Sequence, residues 1–256
     1  MLNVHNVSVS IGAKDILSEV SFKAHAGEVV ALIGPNGAGK STLLSAICAD
    51  VSLSSGHVEF NGISLSSLSA RELAQKRAVL LQKTEVSFPY SVEEVVAMGR
   101  TPWKGTSAAQ EDEDIIQRCM RITEVEHMAL RDIMTLSGGE SGRAHLARIF
   151  AQSTELILLD EPTAALDILH QEQTLKNARA FAQQGATVVV VLHDLDVAGA
   201  YADSIVLLNR GKVIAQGSPE QVCTSQRLSE VYGHPIEVLR HPSNGRLLIL
   251  PERHES

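Results

Sequence analysis

Cysteines and long apolar runs are scarce in this sequence of 256 residues. The three cysteines stand far apart without the spacing of metal ligands, so they indicate neither a disulfide framework nor a zinc motif and fit a reducing compartment. The apolar runs, such as 156–159 and 188–192, are far too short to cross a bilayer. The opening MLNVHNVSVS lacks the basic start and the apolar run of a signal peptide. We therefore expect the chain in the cytosol.

Positive charge is also in short supply. With 22 Lys and Arg against 30 Asp and Glu, the net charge is -8, which argues against a nucleic-acid-binding surface. Hydrophobic residues make up 44% and charged residues 20%, close to the averages of globular proteins. The length suits one large domain, or one domain with a smaller lobe. We expect a folded chain with no nucleic-acid partner.

The apolar patterns predict two kinds of strand. Continuous apolar runs at 29–33, 156–159 and 187–192 are typical of parallel strands covered on both faces. Asn61-Gly62 is the strongest short hairpin signal and predicts antiparallel strands on either side. The first residues alternate, and the apolar positions that mostly share one face are Leu2, Val4, Val7, Val9 and Ile11. The core should be α/β with an additional antiparallel β subdomain.

Residues 85–148 differ in character and predict helices and loops. Ser91 and Glu94 form a capping box that opens a helix through Met98, and residues 111–125 predict a helix with an acidic first turn. We interpret 85–148 as a helical subdomain inserted into the core. That core then comprises residues 1–84 and 149–256, including a short C-terminal tail.

The strongest motif, GPNGAGKST, follows the apolar run 29–33 and precedes a helical stretch. It matches the phosphate-binding pattern G-x-x-x-x-G-K-[ST] in the strand–loop–helix context that the pattern requires. The glycines let backbone N–H groups surround phosphate oxygens, Lys40 adds charge at the β- and γ-phosphates, and Ser41 ligates Mg²⁺. The predicted fold class is therefore α/β, with a P-loop NTPase (RecA-like) core. The expected nucleotide-binding residues are Gly34, Pro35, Asn36, Gly37, Ala38, Gly39, Lys40, Ser41 and Thr42.

A second apolar run, 156–159, ends in the two carboxylates Asp160 and Glu161. Taken alone, such a pair is usually a solvated loop. In a chain with a phosphate loop, we expect Asp160 beside the metal ion and Glu161 in a position to polarise the attacking water.

Residues 136–148, LSGGESGRAHLAR, predict a second anion site. A serine and two glycines lead into a helical stretch with Arg143 and Arg148, and a helix start offers free N–H groups and a positive dipole end. The chain would thus have two phosphate sites, although one nucleotide would need only the first.

Two further residues complete the pattern: Gln82 before the helical lobe and His193 after the apolar run 187–192. In order and spacing, all these segments together resemble the nucleotide-binding subunit of ABC transporters. The resemblance covers nearly the whole chain and implies ATP and Mg²⁺ as cofactors. It implies that Gln82 contacts the metal or the water and that His193 contacts the γ-phosphate. The implied metal ligands are Ser41, Gln82 and Asp160. The implied catalytic residues are Glu161, His193, Gln82 and Lys40.

The resemblance also accounts for the two phosphate sites. It implies a head-to-tail homodimer, in which each nucleotide lies between the phosphate loop of one copy and the LSGGE segment of the other. ATP then joins the copies, and hydrolysis lets them separate. Asp167 matches the D-loop aspartate of the dimer contact. The signature residues expected at the other protomer's nucleotide are Ser137, Gly138, Gly139 and Glu140.

Two positions depart from the family pattern. Family members usually place an aromatic residue early in the chain to stack on adenine, and Ile11 stands at the matching position. Apolar contact would then replace stacking. The usual Gln-Gln after the signature glycines is Glu140-Ser141, and glutamate at the first position also occurs in importers of metal chelates.

Residues 77–82 and 87–100 are similar to the ATPases of bacterial haem importers, within a group that also moves ferric siderophores and cobalamin. The resemblance implies two membrane permease subunits and a substrate-binding protein as partners, with the chain peripheral on the cytoplasmic face of the inner membrane. We interpret it as a haem importer ATPase, with siderophore or cobalamin import as the alternative. Three of the few aromatic residues either contact the permease or form the lobe's own core: Phe88, Tyr90 and Trp103.

Other classes of function are weighed against this interpretation. A soluble ABC ATPase, such as an iron–sulphur assembly factor, remains an alternative because it also consists of one cassette. A P-loop kinase or GTPase is disfavoured because those enzymes lack LSGGE. Direct haem binding is disfavoured because the ten histidines are scattered without a paired axial arrangement.

Overall fold

The computed structural model describes residues 1–82, 88–164 and 166–253. The chain divides into two compact units, one of residues 1–67 with the chain from 187 onward, and one of residues 68–186. Every helix among these described residues is too short or too polar to span a lipid bilayer. The boundaries of the inserted helical lobe, 85 and 148, stay a prediction.

The strands are β1 (Leu2–Ile11), β2 (Lys14–Ala24), β3 (Val29–Ile33), β4 (Ser55–Phe60), β5 (Ile63–Ser64), β6 (Arg77–Leu80), β7 (Leu156–Asp160), β8 (Thr187–Val191), β9 (Ser204–Asn209), β10 (Lys212–Gly217), β11 (Ile236–Arg240) and β12 (Leu247–Pro251). The α-helices are α1 (Lys40–Ile47), α2 (Ala70–Lys76), α3 (Val92–Ala97), α4 (Asp112–Ile122), α5 (Gly138–Ala151), α6 (Ile168–Gln183), α7 (Leu195–Tyr201), α8 (Pro219–Val222) and α9 (Ser225–Tyr232). Short 3-10 helices cover Leu65–Ser67, Met98–Trp103, Ser107–Glu111, Glu126–Met128 and Ile133–Thr135.

One sheet of the first unit has the strand order β10-β9-β3-β8, in which β9, β3 and β8 are parallel and the hairpin strand β10 pairs antiparallel with β9 at one end. Val29 on β3 lies opposite Val188 on β8, and Val30 lies opposite Ser204 on β9, both in parallel register. Every residue of β3 and β8 is buried, as expected of parallel strands covered on both faces. The prediction of parallel strands from the two apolar runs is confirmed.

The first unit also contains an antiparallel sheet in the order β2-β1-β4-β5. Asn61 and Gly62 join β4 to β5 with φ of 51° and 76°, the left-handed conformation that two-residue hairpin turns require, so the predicted hairpin is confirmed. The apolar residues 2–9 of β1 are buried, although register shifts interrupt its pairing with β2. Ile11, the last residue of β1, does not share this burial and is 62% exposed.

The second unit combines the parallel pair β6-β7 with helices α2–α6. Every residue of β7 is buried, and α5 packs against α3 and α4. The predicted capping box opens α3: the Ser91 hydroxyl accepts the Glu94 N–H, and the Glu94 carboxylate accepts the Ser91 N–H at 2.8 Å. The predicted helix at 111–125 is observed as the shorter α4, and its first turn is acidic.

Trp103 and Arg100 anchor the interior of this unit. Trp103 Nε1 donates to the Gln152 carbonyl oxygen at 2.7 Å. Arg100 is only 3% exposed and forms an ion pair with Asp112 at 2.7 Å, with its guanidinium 5.5 Å from the Trp103 ring centroid. Trp103, which is half-buried, is therefore held by contacts within the unit, whereas Phe88 and Tyr90 are exposed.

Candidate functional site

The phosphate loop joins β3 to α1, and glycine is required at both ends of it. Gly34 and Gly39 have φ of 147° and 103°, in the region that favours glycine. A Cβ on Gly34 would clash with the backbone carbonyl of Leu208, and a Cβ on Gly39 would lie 2.7 Å from Leu17 Cδ2. The chain therefore passes close to β9 and then to β2 as it turns into α1, a path that favours glycine at both positions.

Lys40 is the buried cation of this loop, with 6% of its surface exposed. Its Nζ donates to the carbonyl oxygens of Gly34 at 2.6 Å and of Pro35 at 3.1 Å. No side chain caps the start of α1, so its first N–H groups face the loop together with the positive end of the helix dipole. Ser41 is exposed in this first turn. The loop can therefore bind an anion through backbone N–H groups and one ammonium.

His193 lies at the same edge of the parallel sheet as the phosphate loop. It follows β8, which runs parallel to β3, and the Leu192 N–H donates to the Leu32 carbonyl at 3.2 Å. His193 is exposed and precedes Asp194, whose side chain caps α7. Within the first unit, the sheet thus brings His193 and the phosphate loop to the carboxyl ends of adjacent strands, the usual place for a ligand.

In the second unit, Gln82 and Glu161 meet at the carboxyl ends of the parallel strands β6 and β7. Gln82 Nε2 donates to Glu161 Oε2 at 2.7 Å. Glu161 has φ of 51°, a left-handed conformation that costs a non-glycine residue about 1–3 kcal/mol. Asp160, the last residue of β7, is 7% exposed. The structure therefore holds the Glu161 carboxylate by a side-chain hydrogen bond on a strained backbone.

The LSGGE segment begins helix α5 with a capping box. The Ser137 hydroxyl accepts the Glu140 N–H at 3.3 Å, and Glu140 Oε2 accepts the Ser137 N–H and hydroxyl, each at 2.8 Å. Arg131 Nη1 also donates to Glu140 Oε1 at 3.3 Å. The hydrogen bonds from Ser137, and then the charge of Arg131, hold the pKa of Glu140 below its ordinary value. Sequence reasoning missed this role, although the spacing Ser-x-x-Glu signals it.

Neither the backbone conformation nor the packing at position 138 requires a glycine. Its φ is not positive, and a Cβ built on it would meet nothing within 4 Å. Ser137 and Gly138 are both exposed. The start of α5 is therefore exposed, and its first N–H groups can bind an anion.

Asp167 caps helix α6 and is followed by an exposed apolar pair. Its Oδ1 accepts the His170 N–H at 2.9 Å and lies 2.7 Å from His170 Nδ1. These bonds with His170 lower the Asp167 pKa. Ile168 and Leu169 are 81% and 61% exposed. Asp167 is thus followed by a small exposed apolar patch at the start of α6.

A cavity of ≈350 Å³ beside the phosphate loop contains residues that sequence reasoning missed. It is lined by residues 35–38 of the loop, by Asn209 and Arg210 at the β9–β10 turn, and by residues 230–233 at the end of α9. No local pattern marks these residues, because they are brought to the loop only by tertiary packing. Ile11, the expected adenine contact, is not among them.

The fold and the phosphate loop define a class of protein that comparison with known families identifies. The family model of ABC transporters matches residues 17–164, more than half of the chain. The chain belongs to the ABC transporter family. Its activity is ATP hydrolysis coupled to transport, and the RecA-like core predicted from the sequence is confirmed.

Its relatives narrow the class further. The chain is 52% identical to the hemin import ATP-binding protein HmuV of Streptomyces coelicolor, over 96% of this chain and 88% of that protein. It is 51% identical to the protein of the same name from Nocardia farcinica, over 94% of this chain and 84% of that one. Among solved structures, a metal-chelate type ABC transporter in an inward-facing conformation superposes with a TM-score of 0.83, at 27% identity over 98% of this chain and 97% of that one. A bacterial ABC transporter cassette solved as a dimer gives a TM-score of 0.76, at 28% identity over 86% of this chain and 99% of that one.

Proposed function

We propose that this chain is the ATPase subunit that powers haem uptake through a separate membrane permease. The observation that carries the proposal is the identity of 51% and 52% to hemin import ATP-binding proteins along almost the whole chain. The neighbouring structure of a metal-chelate type transporter, at 27% identity, keeps ferric siderophore or cobalamin as the second candidate cargo.

The phosphate loop is proposed to bind ATP, with Lys40 at the β- and γ-phosphates. Ser41, Gln82 and Asp160 are proposed to hold Mg²⁺. They offer a hydroxyl, an amide oxygen and a carboxylate, which are the oxygen donors that this ion prefers. The Gln82 amide nitrogen is engaged with Glu161, which leaves its carbonyl oxygen for the metal. Mg²⁺, when bound, supplies positive charge to the phosphate oxygens.

Glu161 is proposed as the general base that takes a proton from the attacking water. The bond from Gln82 orients its carboxylate, and His193, at the exposed end of β8, is proposed to contact the γ-phosphate. Ile11 is proposed to contact adenine by its exposed aliphatic side chain. In this scheme the protein supplies charge, orientation and a base.

A homodimer is proposed to complete each nucleotide site. The open start of α5, at Ser137, Gly138, Gly139 and Glu140, would face the nucleotide of the other copy, and the exposed surface that follows Asp167 would lie in the contact. Ser137→Arg adds bulk at that start. In a mixed dimer of one variant and one parental copy, we expect hydrolysis to fail at the parental copy's phosphate loop. Full hydrolysis at both loops would contradict the shared site.

The proposed partners are two permease subunits and a substrate-binding protein, with the chain peripheral on the cytoplasmic face of the inner membrane. Phe88 and Tyr90, 66% and 38% exposed with their rings 6.4 Å apart, are proposed to receive a cytoplasmic helix of the permease. Replacing both by alanine should uncouple transport while sparing basal ATP hydrolysis. Unchanged transport would contradict this contact.

The cargo is tested by reconstituting the chain with its cognate permease in lipid vesicles. ATP-dependent accumulation of haem supports the proposal, and the variant Glu161→Gln serves as the control that binds ATP without driving uptake. Accumulation of only ferric siderophore or cobalamin would contradict haem as the cargo. Recovery of the chain only in the soluble fraction, with the permease present, would favour a soluble ABC ATPase instead.

A further inference from the structure

The C-terminal strands β11 and β12 form a two-stranded sheet of their own. They pair antiparallel, with Val238 opposite Ile249. Two strands alone are marginally stable at best in water, so this C-terminal hairpin needs support from the elements that pack against it. None of its residues takes part in the proposed scheme of hydrolysis.

Side chains from two helices bind the outer edges of the C-terminal hairpin. At the β11 edge, the Ser225 hydroxyl of α9 accepts the Val238 N–H at 2.9 Å. At the β12 edge, the Asp196 carboxylate of α7 accepts the Ile249 N–H at 2.9 Å. These edge N–H groups point away from the partner strand and would otherwise need water or another chain. The hairpin is therefore attached to α9 at one edge and to α7 at the other.

The contact between β12 and α7 starts in the first turn of the helix and continues along it. Asp196 is the second residue of α7 and accepts the strand N–H through its carboxylate. One turn further on, a Cβ built on Gly199 would lie 3.7 Å from Ile249 Cδ1 and 3.8 Å from Leu247 Cβ. Ile249 is only 6% exposed, so apolar packing accompanies the hydrogen bond. Asp196 therefore fixes the first turn of α7 to a buried strand.

The first turn of α7 determines where His193 stands. His193 and Asp194 connect β8 to α7. On the helix side, Asp194 Oδ1 accepts the Asp196 N–H at 2.9 Å. On the strand side, the Leu192 N–H donates to the Leu32 carbonyl at 3.2 Å. Because so short a connection leaves little freedom, the position of His193 follows from how firmly α7 is held.

We propose that Asp196 is a positioning residue for ATP hydrolysis, which fixes the start of α7 to the C-terminal hairpin and so holds His193 at the γ-phosphate. The contact with the γ-phosphate matters most while charge moves during the reaction. The phosphate loop, which binds the nucleotide through other groups, does not depend on this contact. The inference rests on the proposed function, because it assumes that His193 contacts the γ-phosphate.

The test compares Asp196→Ala with Asp196→Asn in the full-length chain. Loss of the bond to the Ile249 N–H predicts a fall of about tenfold in kcat, whereas the Kd of a fluorescent ATP analogue should stay within about twofold. Asparagine keeps an oxygen that accepts this N–H, so Asp196→Asn should retain the kcat within about threefold. Ser225→Ala is the matched control, because it removes the bond at the β11 edge and should leave the kcat unchanged.

A double variant separates positioning from a merely structural role. If Asp196 acts through His193, Asp196→Ala should lower the kcat no further in a chain that already carries His193→Ala. Asp196→Ala and Ser225→Ala should have similar Tm values, since each loses one edge hydrogen bond.

Four results would overturn the proposal. They are an unchanged kcat in Asp196→Ala, an equal fall in Asp196→Asn or Ser225→Ala, an undiminished fall in the His193→Ala chain, and a Tm of Asp196→Ala far below that of Ser225→Ala. If His193→Ala alone hydrolysed ATP at the parental rate, the proposed role of His193 would fail instead.

Discussion

Replacing Glu161 by glutamine tests the assignment of the general base with little disturbance of the fold. The two side chains have the same shape, and the amide oxygen of glutamine can still accept the Gln82 N–H that Glu161 accepts at 2.7 Å. The left-handed backbone at this residue, with φ of 51°, is equally strained in both proteins. Stability and ATP binding should therefore be nearly unchanged. The carboxamide, however, cannot take a proton from water.

The loss of a general base predicts a fall in kcat of about 10²–10⁴-fold with little change in ATP affinity. Steady-state hydrolysis measures the kcat, and titration with a fluorescent ATP analogue measures the Kd. Size-exclusion chromatography in ATP should reveal an accumulated dimer, because both nucleotide-binding surfaces remain while the ligand is no longer consumed. Glu172→Gln on α6, which removes a carboxylate paired with Lys176, is the matched control. A Glu161→Gln protein that hydrolyses ATP within about threefold of the parental rate would refute the assignment, since base catalysis is worth far more.

Three further predictions concern stability and the phosphate loop. Gly34→Ala should abolish nucleotide binding and destabilise the chain by about 1–3 kcal/mol, because the new methyl group meets the Leu208 carbonyl. Nucleotide titration and thermal unfolding measure the two effects. Normal binding would contradict the claim that position 34 requires glycine. Trp103→Phe removes the donor to the Gln152 carbonyl and should lower the free energy of unfolding by about 1–2 kcal/mol in urea titration, whereas an unchanged midpoint would show that this bond is unimportant. Burial lowers the pKa of His145 from 6.5 to about 4, so the unfolded chain takes up this proton at a higher pH than the folded chain does. The free energy of unfolding should therefore fall by up to about 3 kcal/mol as the pH drops from 6.5 towards 4. Acid titration of the variant His145→Gln should lack this part of the pH dependence.

The sequence predicts best those parts of the fold whose geometry is specified locally. The glycines and lysine of residues 34–40 set their own backbone path, and the apolar runs of β3, β7 and β8 are buried along their whole length. Local reasoning is weaker where a strand ends or pairs irregularly. Ile11 continues the apolar alternation of β1 and is nevertheless exposed, because it is the last residue of the strand and follows the register shift between Val9 and Ser10.

Long-range packing sets the limit of what the sequence reveals about the site. Gln82 and Glu161 were both predicted as functional residues, but their direct hydrogen bond depends on the pairing of β6 with β7. Tyr232 reaches the phosphate loop from the C-terminal helix and carries no motif of its own. The spacing of Ser137 and Glu140 predicts the capping box of α5, which gives Glu140 a structural role besides the one that the family pattern implies for it.

The capping box of α5 affects the energetics of the proposed homodimer. Ser137 and Glu140 satisfy each other within one chain, so the start of the helix is already ordered before a second copy arrives. Preorganised surfaces lose little conformational entropy on association. In the proposed homodimer, the free energy of closing would then depend mainly on the bound nucleotide, and the occupancy of the two ATP sites would decide whether the subunits are separate or joined.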